Sequence, residues 1–165
     1  MVYRKTNFHM SITLAAAMLL VTATASFQAT TVPVAGDQFT LAVLDPGRSW
    51  VDEEGITHVR GLILEVAFIG DLVGTVIQHL NYNIDPFGDG DLHGSAEFDG
   101  TLIGVGAGAL VGRFAGDISG GVFTVESIGR GTLGGARAHS RVTTTGVLGS
   151  GVAMYTGIVR FPQGQ

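Results

Sequence analysis

His79, Asn81 and Asn83 stand two residues apart. On an extended strand, positions i, i+2 and i+4 share one face. This row sets an imidazole and two amides side by side. Glu65 and Glu97, on the segments before and after it, can complete the group. A few convergent polar groups in an otherwise apolar cavity are what a small-molecule site needs. A carboxylate buried beside an imidazole has a raised pKa and serves as a general acid or base. Glu65, His79 and Glu97 are therefore the catalytic candidates. His79, Asn81 and Asn83 are candidate ligand contacts, with Phe68 and Tyr82 as aromatic wall. The opposite face of the same strand carries Val76, Leu80, Tyr82 and Ile84 and is more apolar. If that face packs the core, the polar row meets solvent. A register slip of one residue exchanges the two faces.

Other clusters point to weaker chemistry. Asp85, Asp89 and Asp91 crowd one turn and are the candidates for Ca²⁺, which takes several oxygen ligands. Their spacing departs from the EF-hand pattern, and Asp and Gly also build ordinary turns, so no metal is assigned. The five histidines are too scattered for a zinc motif, and no cofactor is expected. Gly104-Val105-Gly106-Ala107-Gly108 and Gly129-x-Gly131 open no helix of a βαβ unit, and no Lys-Ser/Thr follows. Both read as turns. Gly149-Ser150-Gly151 lacks the spacing of a nucleophile elbow. Arg137, His139 and Arg141 alternate on one strand face and suit either an anionic group or solvent. Trp50 lies in a polar stretch at 45–57 that could fold over a cavity as a lid.

The chain begins like an export signal. Arg4 and Lys5 precede an apolar run, Ile12 to Val21, and Ala23-Thr24-Ala25 offers a small-residue cleavage site. The apolar run is shorter than the roughly 20 residues a spanning helix needs. The expected organisation is a signal peptide at 1–25, a flexible segment at 26–36 and one domain at 37–165. The destination is then secreted or extracytoplasmic. The whole chain has 165 residues and a net charge of −5. Losing Arg4 and Lys5 leaves it more acidic and without lysine. That balance disfavours nucleic acid, which asks for clustered Lys and Arg, and an anionic membrane surface. No cysteine is present, so neither disulfides nor thiol chemistry enter.

Glycine is the compositional outlier, at 26 residues. The glycines alternate with Val, Ile, Leu, Phe and Thr, which supply the burial that a disordered segment lacks. Phe-x-Gly-[Asp/Thr]-[Leu/Ile]-x-Gly occurs three times, at 68–74, 98–104 and 114–120. Each copy is expected to end one strand, bend at glycine and open the next. Strands are predicted at 37–44, 59–69, 72–84, 92–102, 109–118, 122–128, 136–145 and 152–161. No window after residue 30 shows a sustained helical period. Eight short strands with Gly-rich turns predict an all-β, eight-stranded antiparallel up-and-down barrel, with a β-sandwich as the alternative. Closure removes exposed edges, and a barrel of this size holds side chains or one small ligand.

The glycine motifs also carry a resemblance. Phe68-x-Gly70-Asp71-Leu72-x-Gly74, Gly88-x-Gly90-x-x-His93-Gly94, Phe98-x-Gly100-Thr101, Gly129-x-Gly131-Thr132-Leu133-Gly134-Gly135 and Tyr155-Thr156-Gly157 are similar to the allene oxide cyclase-like barrels. That superfamily includes the dirigent proteins and a bacterial branch. The resemblance runs from about Asp37 to Phe161. It implies an eight-stranded barrel with a ligand-sized cavity, often dimeric or trimeric. Plant allene oxide cyclases carry a catalytic Glu and a nearby Asn on the first strand. Thr40-Leu41-Ala42-Val43-Leu44, the matching stretch here, has neither, so those residues are not carried over. The expected function is binding of a small, mainly apolar molecule in the barrel. A cyclase or isomerase of the same type, and a structural or interaction barrel without a ligand, are the alternatives.

Overall fold

The computed structural model describes residues 29–162; the export segment read at 1–25 lies outside them. Nine strands follow in chain order: β1 Thr30–Asp45, β2 Arg48–Val51, β3 Thr57–Gly70, β4 Leu72–Ile84, β5 Gly90–Leu102, β6 Gly106–Ser119, β7 Val122–Leu133, β8 Ala136–Val147 and β9 Val152–Phe161. From β2 onward each strand pairs antiparallel with the next, and β1 pairs with both β9 and β3. The sheet is therefore a closed, eight-stranded, up-and-down barrel with one short extra strand, and not a sandwich. No helix occurs among the described residues.

Two stretches are more ordered than their composition suggests. β1 starts at Thr30, not Asp37, because Val32 and Val34 alternate inward while the backbone pairs with β9 from Thr30↔Phe161 onward. Residues 45–57 do not form one open loop. After Asp45-Pro46-Gly47 the chain resumes as β2, and Trp50 pairs with His58 of β3. The remaining turn is held by Asp52, whose Oδ1 accepts from the N–H groups of Glu54 and Ile56. Trp50 stacks on the His58 ring, centroids 5.0 Å apart, on the outer face and not over the mouth.

The glycines do two jobs, of which the sequence suggested one. Gly70 ends β3 at φ +127°, so the first Phe-x-Gly copy is a bend. Gly100 and Gly116 instead lie inside β5 and β6, and Gly129 and Gly131 inside β7. Aromatic rings explain several of these inner positions. Phe68 faces Gly74, Phe114 faces Gly94, Phe123 faces Gly146 and Tyr155 faces Gly36 across neighbouring strands. A Cβ on Gly94 would sit 2.6 Å from Phe114 Cζ, and one on Gly146 would sit 2.9 Å from Phe123 Cζ. Missing side chains on one strand make room for rings on the next, as close-packed interiors require.

The interior is filled at one end only. Near the turns at Gly70-Asp71, 103–105 and 134–135, Leu102, Leu133 and Val159 are completely buried, with Tyr155 beside them. Each such side chain contributes about 1.5–3 kcal/mol by leaving water. Phe68 lies between Tyr155 and Phe98, at centroid distances of 4.9 and 5.9 Å. Toward the other end Leu80, Leu92, Phe114, Ile118 and Val125 line the wall. The molecule is a cup.

Candidate ligand cavity

The open end of the cup encloses about 540 Å³, within the roughly 300–1,000 Å³ of small-molecule sites. Leu62, Leu64, Leu80, Leu92, Phe114 and Phe123 supply the apolar wall. Tyr82 and Gln78 enter from β4, and Gln38 from β1. Behind this space a chamber of about 80 Å³ shares Gln38, Gln78, Phe114 and Val125 with it and adds Ser127, Ser140 and Thr144. Gln38 Nε2 donates to Thr144 Oγ1 at 2.9 Å, and both residues are buried. No Asp, Glu, His, Lys or Arg lines the larger space. The interior can therefore exclude water, pack hydrocarbon and offer amide and hydroxyl groups. Tyr82 is its one titratable group.

The proposed polar row sits elsewhere. β4 turns Leu72, Val76, Leu80 and Tyr82 inward and His79, Asn81 and Asn83 outward. Glu65 and Glu97 are also on the outer face, on either side of Ile77 in the ladder. None of these five reaches the cavity. Of the residues singled out from sequence, Tyr82 lines the larger space and Phe68 the smaller. Gln38 and Gln78 were missed. Each is a lone amide at an inward position of an otherwise apolar face, and that exception to the alternation is the signal that could have found them.

The outer row is occupied by structural hydrogen bonds. Asn81 Oδ1 accepts from Gly61 N–H at 2.8 Å and so ties down the bulge in β3. Asn83 joins a network around His58. His58 Nε2 lies 2.8 Å from Asp52 Oδ2, and Nδ1 lies 2.7 Å from Asn83 Oδ1. Asn83 Nδ2 donates to Asp91 Oδ1 at 2.8 Å, which orients the amide oxygen toward the imidazole. Both ring nitrogens thus face acceptors, and both bonds form only when the ring carries two protons. The His58 pKa is raised, by the Asp52 bond first and the Asn83 bond second. Asp52 is lowered, chiefly by the same bond from His58. Arg60 adds a donor to Asn83 Oδ1 and lies 5.8 Å from the Trp50 ring centre.

His79 and Asn81 border a shallow outer depression with His93, Ser95, Arg113 and Glu126. The three turn carboxylates have separate partners. Asp85 Oδ1 accepts from Phe87 and Asp89 N–H, Asp89 Oδ1 from Gly120 N–H, and Asp91 from Asn83. Among the described residues no three His, Cys, Asp or Glu side chains gather as a metal site would require. Arg137, His139 and Arg141 point outward from β8. Arg141 pairs with Glu126. His139 stands between Arg130 and Arg160 in the ladder, with its Nε2 buried and without a hydrogen bond.

Fold and cavity together describe a small closed β-barrel, packed at one end and hollow at the other. Comparison with protein-family models finds no matching family, and comparison with curated proteins finds no match.

Proposed function

We propose that the chain is an exported barrel that binds a small, mainly apolar molecule in its open end. The observation that carries this reading is the one-ended cup: about 540 Å³ of apolar-walled space above a tightly filled base. A barrel serving only as a scaffold gains nothing from leaving that volume unpacked, since unfilled core space costs stability. The outer face carries Glu65, His79, Glu97 and Arg113 along its strands. These charges interrupt an outer face that also exposes Val73, Val111, Ile128 and Ile158, where a membrane-spanning barrel keeps an unbroken apolar band, and this supports a barrel in water. A relation to the allene oxide cyclase-like barrels belongs to the same proposal, supported by the up-and-down closure. An isomerase or cyclase built on this interior would work by holding its substrate in position.

Native mass spectrometry of gently purified protein tests the reading. A retained small molecule is expected, and it should be lost in Leu62→Trp, which fills the wall from β3. Protein that emerges bare, and stays bare after exposure to panels of apolar compounds, would count against binding.

A further inference from the structure

Both parts of the cup are mainly apolar, no charged side chain points into either, and the deeper part holds a cluster of amides and hydroxyls. Gln38, Gln78, Ser127, Ser140 and Thr144 border the deep chamber. Leu62, Leu148, Val43 and Val152 stand nearer the opening with Thr40 and Tyr82, whose hydroxyls can reach water there. Gln38 is already tied to Thr144, whereas no side-chain hydrogen bond engages Gln78 among the described residues. Arg113 also borders the chamber, but β6 directs it outward, where it is exposed and lines the outer depression.

Two costs constrain what can fill this space. A carboxylate taken into the cup loses its hydration and meets no cation, which is severely unfavourable. A wholly apolar occupant covers the amide of Gln78 and the serine hydroxyls without pairing them, which strands each of those groups away from water. A neutral molecule with a hydroxyl, carbonyl or amide at one end and hydrocarbon at the other avoids both. The chamber of about 80 Å³ gives several times the room that one water needs and suits a small head group. We propose that the cup selects uncharged amphiphiles, bound polar end first, and rejects the matching carboxylates.

This selectivity rests on the cavity being a binding site, and one experiment separates the two ideas. NMR titrations at pH 8 compare 1-decanol with decanoate, in the parent chain and in Gln78→Leu. The expected result is that decanol shifts the signals of Leu62, Leu80 and Leu92 with at least a tenfold lower Kd than decanoate. In Gln78→Leu that gap should narrow at an undiminished melting temperature. If the leucine variant does not fold, Gln78→Asn retains the amide with a shorter reach and should narrow the gap in part. Comparable or tighter binding of decanoate overturns the selectivity and leaves the cavity reading standing. An unchanged gap in the variants overturns the polar-end-first orientation. Absence of shifts with either compound overturns both ideas.

Discussion

Replacing Tyr155 by phenylalanine removes one oxygen from the filled end of the barrel and leaves the ring against Phe68. The cost follows from the ladder. Ile103 N–H donates to Asp71 C=O at 2.9 Å, so the bonds between β4 and β5 flank the Leu72↔Leu102 pair instead of joining it. Leu72 N–H and C=O therefore point away from β5, toward the side where β3 has already turned. The Tyr155 hydroxyl takes the place of the absent strand. It accepts from Leu72 N–H at 2.9 Å and donates to Leu72 C=O at 3.2 Å. Leu72 is 3% exposed and Tyr155 1%, so water does not substitute. Stranding the N–H and weakening the carbonyl costs about 2 kcal/mol. For a domain of this size that lowers Tm by about 7 °C. Urea unfolding followed by circular dichroism should show a lower midpoint at an unchanged m-value. Burial pushes the Tyr155 phenol up, so its absorbance should stay that of the neutral ring until the barrel opens in alkali. A loss below about 0.5 kcal/mol, less than an ordinary net hydrogen bond, would refute the idea that this hydroxyl stands in for a strand.

The other predictions address the exterior and the glycines. His58 is raised in the folded state, so its contribution is fully present below about 6.5, its unfolded value, and is lost as pH rises through the folded pKa. Melting temperatures from pH 5 to 9 should fall across that window, with the His58-dependent part absent in His58→Gln. Asp52 is lowered, so its share is present above its unfolded pKa and disappears only in acid, as pH falls through the folded value. Gly94→Ala should destabilise by about 1–3 kcal/mol, because the new methyl meets Phe114 Cζ at 2.6 Å and the His79 carbonyl; a neutral outcome in chemical denaturation would contradict the ring-over-glycine packing. Arg130→Glu should stabilise by about 0.2–1 kcal/mol, since it sets an opposite charge among Arg137, Arg141 and Arg160, its diagonal and next-strand neighbours in the ladder. That gain should shrink with added salt.

The strand pattern was legible where chemistry alternates cleanly. β4 and β9 begin and end where the apolar period and the glycine turns place them. β2 was illegible because Arg48, Ser49 and Trp50 look like loop, and only the open edge of β3 recruits them. The direction of β4 was harder. Val73 and Ile77 on its outer face dilute the contrast with Val76 and Leu80 inside, so alternation alone leaves both registers open. The aromatic-to-glycine pairs decide it, because each inner ring needs a gap across the ladder, and that correlation spans strands. The polar lining of the cavity was hard to read for the same reason. His79, Asn81 and Asn83 have the residue types of a ligand site, but the bulge at Gly61 and the ring of His58 use two of them, while Gln38 and Gln78 stand singly among aliphatic residues.

The join between the first and last strands also says something about how the chain must fold. Apart from β1–β3, which closes across the intervening β2, every other junction is a hairpin that neighbouring residues can form by themselves. The β1–β9 seam brings Thr30 against Phe161, and closing so long a loop costs entropy that no earlier contact repays. Until β9 emerges, the nascent sheet is an open ribbon with its apolar face wet and both edges unpaired. Such a chain acquires its stability late and in one step, and a chain cut short anywhere before Val152 would present those edges to its neighbours as templates for aggregation.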